Sequence, residues 1–240
     1  MSLSKRHRKL WPLLTGIFLL MGLAGPLLGL VAPHLARAQS PHALIVTING
    51  TINPVKERFI SRAIEQAVED QATLLILELD TPGGLLSSTR KIVESLLESP
   101  VPVVVFVSPK GARAGSAGTF ITAAGHFAVM APGTNIGAAT PISATGEDLD
   151  DTLASKIEND AAALIRSIAQ ERGRNEEVLE ETVRMATSYS ANEAVELNVV
   201  DFIAQDLDDL LVQLNAQTVM TASGERTLQT HDLAQRRINK

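Results

Sequence analysis

The residues best suited to chemistry lie in one stretch, Gly111-Ala112-Arg113-Ala114-Gly115-Ser116-Ala117-Gly118-Thr119-Phe120. An apolar run, Val101 to Val107, precedes it, and a small-residue helix from Ser116 to Ala124 is predicted to follow. A serine at a strand-to-helix turn holds its hydroxyl near backbone N–H groups that lack intrahelical partners, and such groups stabilise a developing negative charge. The surrounding Gly and Ala leave room for a substrate backbone. The same pattern is also that of an ordinary N-cap. A second stretch, Asp80-Thr81-Pro82-Gly83-Gly84, ends another apolar run. Gly83-Gly84 reads as a tight turn, and that turn would also aim an N–H outward. Asp80 is expected to cap it through its carboxylate. A serine hydroxyl needs a base to remove its proton. His7 and His34 lie in the N-terminal segment, His42 opens the first strand, His231 is near the C-terminus, and His126 falls at the far end of the predicted helix. A lysine can act instead where burial disfavours its ammonium form.

The composition bounds the partners. The 240 residues include no cysteine, which excludes disulfides and thiolate metal sites. Residues 1–38 carry five basic and no acidic side chains, so the rest of the chain is strongly acidic under a formal net charge of −6. An acidic body argues against nucleic acid, whose phosphates need clustered Lys and Arg. No metal constellation and no phosphate-binding glycine pattern is present in the sequence, so neither a metal nor ATP is expected, and the expected cofactor is none. Lys5-Arg6-His7-Arg8-Lys9, the apolar run Leu10 to Ala32 and Ala36-Arg37-Ala38 have the form of an export signal. Cleavage after Ala38 is expected, with an uncleaved membrane anchor as the alternative. In both cases the body lies outside the cytoplasmic membrane, secreted or held at its outer face.

The elements that must position Ser116 follow from periodicity. His42 to Ile48, Thr73 to Leu79, Val101 to Val107 and Phe127 to Met130 are short apolar runs. Continuous runs of this kind suit parallel strands covered on both faces. Between them lie amphipathic helices, one opened by Pro54 with Phe59, Ala63, Ile64, Ala67 and Val68 on its apolar face, and one over Leu86 to Glu98. The alternation predicts an α/β domain with a parallel core sheet. Ligands in such sheets bind past the carboxyl ends of the strands, where both Gly83-Gly84 and Ser116 fall. Thr140 to Asp151 reads as a polar loop, Thr152 to Arg172 as a long helix ended by Gly173, and Asn175 as the cap of the next. Ser190 and Glu193 form a capping box. Asn198 takes a left-handed position, Val199 to Ile203 is a last core strand, Leu207 to Leu214 a helix, and Gln217 to Thr230 a hairpin turning at Ser223-Gly224. Residues 39–230 are thus one domain, with 231–240 a polar tail.

Four motifs in order carry a resemblance. Asp80-Thr81-Pro82-Gly83-Gly84, Gly111-x-x-Ala114-x-Ser116-Ala117-Gly118-Thr119, Met130-Ala131-Pro132-Gly133-Thr134-x-Ile136-Gly137 and Ala169-Gln170-x-x-Gly173-Arg174-Asn175 resemble the NfeD family over residues 42–230. These are membrane-bound serine proteases of the ClpP/crotonase-type fold, partners of stomatin-like proteins. The resemblance implies a Ser–Lys dyad of Ser116 and Lys156. It implies oxyanion-hole amides on Gly84 and Ala117, with Gly83 and Gly115 lining the substrate's path. It also implies an apolar peptide substrate from a membrane protein such as a stomatin-like partner, bound as an added strand, and a homodimer. A ClpP-like triad would want a histidine where Pro141 stands. Leu153, Ile157 and Ala163 would give Lys156 an apolar setting, whereas Asp160 at i+4 would make it an ordinary exposed pair. Lys110 and Lys91 are the other bases within reach.

Two further functions compete with the peptidase reading. One is a non-catalytic scaffold that binds a stomatin-like protein. The other is crotonase-type acyl-CoA chemistry, which the export signal disfavours. Long family members continue into membrane helices and a small β-barrel domain, so the chain is expected to be a fragment or a short form.

Overall fold

The computed structural model describes residues 40–142 and 150–238. The segment read as an export signal and residues 143–149 of the polar loop lie outside the described residues.

The chain begins with β1 (His42–Asn49), α1 (Pro54–Glu69), β2 (Leu74–Asp80), α2 (Leu86–Leu97) and β3 (Val103–Val107). It continues through β4 (Arg113–Gly115), α3 (Ala117–Ala124), β5 (Phe127–Met130) and β6 (Asn135–Gly137). Then come α4 (Asp151–Arg172), α5 (Glu176–Arg184), β7 (Ser188–Ser190), α6 (Ala191–Glu196) and β8 (Phe202–Ile203). Helix α7 (Leu207–Leu214), the hairpin β9 (Thr218–Thr221) and β10 (Gly224–Thr227), and β11 (Ala234–Arg237) complete it.

The main sheet has the order β11-β1-β2-β3-β5-β8, and its pairs are parallel. Alternate residues face opposite sides. Leu75, Leu77, Leu79, Val103, Val105 and Val107 pack into the larger core, against residues of α1 to α6. Leu74, Ile76, Val104 and Phe106 pack into a second core with Leu210, Leu211, Leu214 and Leu228. Burial on both faces is why these strands read as unbroken apolar runs.

Local signals account for the helix ends. Asn53 caps α1 by accepting from the N–H groups of Val55 and Lys56, with Pro54 in the first turn. Gly173 ends α4 in the left-handed conformation, with φ 66°. Ser190 and Glu193 form their capping box, and Asn198 has φ 56°. The buried face of α1 is shifted from the predicted one: Ile60 is fully buried, while Val68 is 44% exposed.

Three expectations need correction. The strand leading into Ser116 is not β3 but β4, a three-residue strand in a separate small sheet of order β4-β6-β7. The last core strand is only Phe202–Ile203. The polar tail is not free: Ala234–Arg237 pairs parallel with His42 to Ile45 and forms the sheet edge. It buries no side chain of its own. Ion pairs hold it instead, Arg236 to Asp70 at 2.6 Å and Arg237 to Glu78 at 2.5 Å.

Candidate active site

The serine turn is assembled from backbone. Thr81 bridges β2 to β4, its N–H donating to Arg113 O at 2.8 Å and its carbonyl accepting from Gly115 N at 2.9 Å. On the other side of β4, the Ser116 N–H donates to Gly137 O of β6 at 2.9 Å. The Thr119 hydroxyl reaches Ala114 O and Gly137 O, both at 3.1 Å, and so ties the first turn of α3 to the ends of both short strands. Held this way, Ser116 has φ 48° and ψ −109°, a conformation that costs a residue with a Cβ on the order of 1–3 kcal/mol. It stands at the N-cap of α3, but its side chain makes no cap hydrogen bond. The ordinary N-cap reading is therefore not what is found. The residue is half-buried.

The glycine loop closes over this turn. Gly83 has φ 126°, and a Cβ placed on it would lie 2.7 Å from Ser116 Cβ and 3.2 Å from Ser116 Oγ. Only glycine allows that approach. A Cβ on Gly115 would lie 3.1 Å from Pro82 O, so the two loops are in contact on both sides of the serine. Gly84 bridges in parallel with Ile52: Ile52 N donates to Gly83 O at 2.8 Å and Leu85 N to Ile52 O at 3.0 Å. This alternation turns Gly84's own N–H and carbonyl away from Ile52. A Cβ on Gly84 would lie 2.1 Å from Ile52 O. Neither the Gly84 N–H nor the Ala117 N–H has an acceptor among the described residues. Asp80 does not cap this turn. Its Oδ1 accepts from the Arg113 N–H at 3.1 Å, across to the start of β4, and the Thr81 side chain holds the glycine loop instead.

Lys156 stands apart from this assembly. It is exposed, as are Leu153 (46%) and Ala163, so the expected apolar setting is absent. Asp160 does not hold it either, because Asp160 pairs with Arg90 of α2. No hydrogen bond joins Lys156 to Ser116 among the described residues. Lys91 is engaged by Glu57 at 3.3 Å. Lys110 lines a cavity of about 590 Å³ with Phe106, Ala131 and Leu207, on the sheet face that α7 covers. His126 accepts from the Val103 N–H at 3.1 Å, at the far end of α3, and burial beside Arg172 pushes its pKa down to about 3. It is neutral at pH 7 and remote from the serine.

The Gly-Arg-Asn motif proves to be structural. Arg174, 5% exposed, donates to Ala123 O at 3.1 Å and Gly125 O at 3.3 Å, and it pairs with Asp201 at 3.0 Å. Arg172 donates to Ala124 O at 2.9 Å. Two guanidinium groups thus satisfy the open carbonyls at the α3 C-terminus, where positive charge is favoured. Asn175 caps α5.

A parallel sheet whose glycine loop closes on a serine elbow is the ClpP-like fold. ClpP1 from Listeria monocytogenes shares the fold, with TM-score 0.56 over 69% of this chain and 94% of its own at 19% identity. Within that class the chain belongs to the NfeD1b family, since residues 42–222 match the NfeD1b N-terminal domain. Among curated relatives, the membrane-bound protease PH1510 of Pyrococcus horikoshii is 38% identical over 174 residues, which are 71% of this chain and 39% of that protein. The membrane protein NfeD1b of Bacillus subtilis is 32% identical over 137 residues, 57% of this chain and 29% of that protein. The chain thus spans well under half the length of either. The 1510-N membrane-bound stomatin-specific protease, solved as a serine-to-alanine variant, superposes with TM-score 0.78 and 33% identity over 84% of this chain and 99% of its own. A lysine-to-alanine variant of 1510-N, solved with a substrate peptide, gives TM-score 0.77 over 84% and 93%. No helix among the described residues is long and apolar enough to cross a membrane.

Thr81, Thr119 and Gly137 are the site residues whose roles sequence reasoning missed, although all three lie inside the motifs quoted above. The available signal was their position: a threonine two residues before a glycine that needs positive φ can form a local side-chain turn.

Proposed function

We propose that this chain is a serine endopeptidase of the Ser–Lys type, acting without ATP on apolar segments of membrane proteins. The observation that carries the reading is the closure of Gly83 on Ser116, with the Gly84 and Ala117 N–H groups left unengaged beside it. Ser116 Oγ attacks the scissile carbonyl, and Lys156 takes its proton and returns it to the leaving amine. The Gly84 and Ala117 N–H groups hold the oxyanion of the tetrahedral intermediate. Gly83 and Gly115 admit the substrate backbone, which adds as a strand along the open edge of Gly84. The serine and lysine variants of 1510-N support the pairing. Their separation in that chain exceeds by one residue the forty between Ser116 and Lys156. The name of that protease also supports a stomatin-like substrate. The exposed apolar side chains Leu85 (43%), Val55 (56%) and Leu153 (46%) fit an apolar peptide. The protein acts as a homodimer at the outer face of the cytoplasmic membrane, as the family resemblance and the segment 1–38 suggest.

Because Lys156 is exposed and makes no hydrogen bond to Ser116 among the described residues, substrate binding must bring it to the serine. The test is cleavage of an apolar peptide with charged ends by wild type, Ser116→Ala and Lys156→Ala across pH 6 to 9. Cutting by wild type alone upholds the dyad. Cutting that survives Lys156→Ala moves the base to Lys110 or Lys91. Cutting by none, with binding of a stomatin-like protein retained, establishes the scaffold.

A further inference from the structure

We propose that Thr81 is the positioning residue that keeps the two oxyanion N–H groups in register with Ser116, an inference that rests on the peptidase reading above. Thr81 is fully buried and touches no solvent. Its hydroxyl meets both polar groups of Gly83, accepting from the N–H and donating to the carbonyl, each at 3.1 Å. With the Ile52 N–H, which donates to the same carbonyl at 2.8 Å, those contacts fix the peptide planes on either side of a residue at φ 126°, and so set the direction of the next N–H, that of Gly84. Its methyl group points the other way. A Cβ on Gly118 would lie 2.7 Å from Thr81 Cγ2, so this methyl packs on the first turn of α3, next to Ala117. Its backbone, meanwhile, is bonded to Arg113 and Gly115, the strand that delivers Ser116.

One side chain therefore touches the loop that supplies one N–H and the turn that supplies the other. Nothing else among the described side chains hydrogen-bonds to the Gly83 N–H. An oxyanion donor works only at about 3 Å from where the charge develops, and a misplacement of about 1 Å costs on the order of 10²-fold in rate. Thr81 makes no contact with the reacting atoms. It acts through Gly83 and Gly118.

Two substitutions separate its two ends. Thr81→Val keeps the shape and the methyl contact but leaves the Gly83 N–H without an acceptor. Thr81→Ser keeps the hydroxyl and loses the methyl. Measured on the full chain with an apolar peptide, Thr81→Val is expected to lower kcat about 10²-fold with KM changed less than about threefold. Thr81→Ser is expected to stay within about fivefold of wild type in both. Amide hydrogen exchange supplies a readout that needs no activity, and its wild-type part needs no variant. In wild type the Gly83 amide is protected and the Gly84 amide is not, and in Thr81→Val the Gly83 amide exchanges at least about tenfold faster. Equal kcat for Thr81→Val and wild type overturns the proposal. So does a Thr81→Ser as slow as Thr81→Val, or an unprotected Gly83 amide in wild type. If wild type cuts nothing, the peptidase reading fails on its own, and Gly83 exchange still decides whether Thr81 holds the loop.

Discussion

Ser116 sits in backbone with little freedom left: Thr81 and β6 bond to either side of its strand, Gly83 leaves no room for a Cβ against its own, and Thr119 ties its helix to both short strands. Lys156 sits in the first ten residues of α4, none of which is buried. That half-helix is attached through exposed ion pairs, Arg90 to Asp160 and Arg184 to Glu158. Pairs of this kind contribute roughly 0–1 kcal/mol each. Under the proposed peptidase function, the contrast separates two tasks. Stabilising an oxyanion needs groups fixed before the charge appears, since reorganisation during the reaction would cancel the gain. Delivering a base needs only that it arrive, lose its water and leave.

Four experiments test that contrast. The largest effect is expected for Gly83→Ala, which puts a Cβ 2.7 Å from that of Ser116 at φ 126°. Peptide cleavage should fall by on the order of 10³-fold or more, and thermal unfolding should drop by several degrees, since the serine side cannot yield locally. Lys156→Ala should lower cleavage by about 10²–10⁴-fold while the melting temperature stays within about one degree, because its side chain is exposed. A large melting shift there would break the comparison. Arg174→Leu removes the guanidinium that satisfies the α3 carbonyls and leaves Asp201 unpaired. Chemical denaturation should show a loss of about 3 kcal/mol, with KM for the peptide little changed. The smallest effect concerns acid. His126 has a pKa of about 3 in the folded protein against 6.5 when free, so between those values the unfolded chain binds the extra proton. Its contribution to stability is therefore complete above pH 6.5 and is lost as pH falls toward 3. Between pH 6.5 and 5 this removes roughly 2 kcal/mol, and His126→Asn should flatten that part of the denaturation profile.

Much of the fold was legible in the sequence for a physical reason. Strands buried on both faces must be apolar throughout, so Leu74–Asp80 and Val103–Val107 announce themselves. The glycine loop and the serine turn were legible because close backbone approach excludes any Cβ. The shorter elements were not. Three residues such as Arg113–Gly115 are too few to show a period, and their strand character comes from neighbours across the sheet. Ala234–Arg237 buries nothing, so it carries no apolar pattern, and Arg236 reaches a partner 166 residues away. Helix spacing placed Lys156 on one side of α4 but could not say whether anything faced that side. The threonine at 81 read as part of a motif, while its two hydrogen bonds to Gly83 emerged only from the folded loop.

The edge strand β11 gives the sheet a border of a different material from its centre. Water is excluded around β2 and β3, so dissolved ions cannot weaken them by shielding. At the rim, Arg236 and Arg237 add exposed ion pairs to the backbone bonds between β11 and β1, and the Debye length that sets their screening falls from about 10 Å at 0.1 M ionic strength to about 3 Å at 1 M. Brine should therefore loosen the hem of this sheet while its weave stays closed, giving β1 a margin that opens with the ionic surroundings rather than with heat.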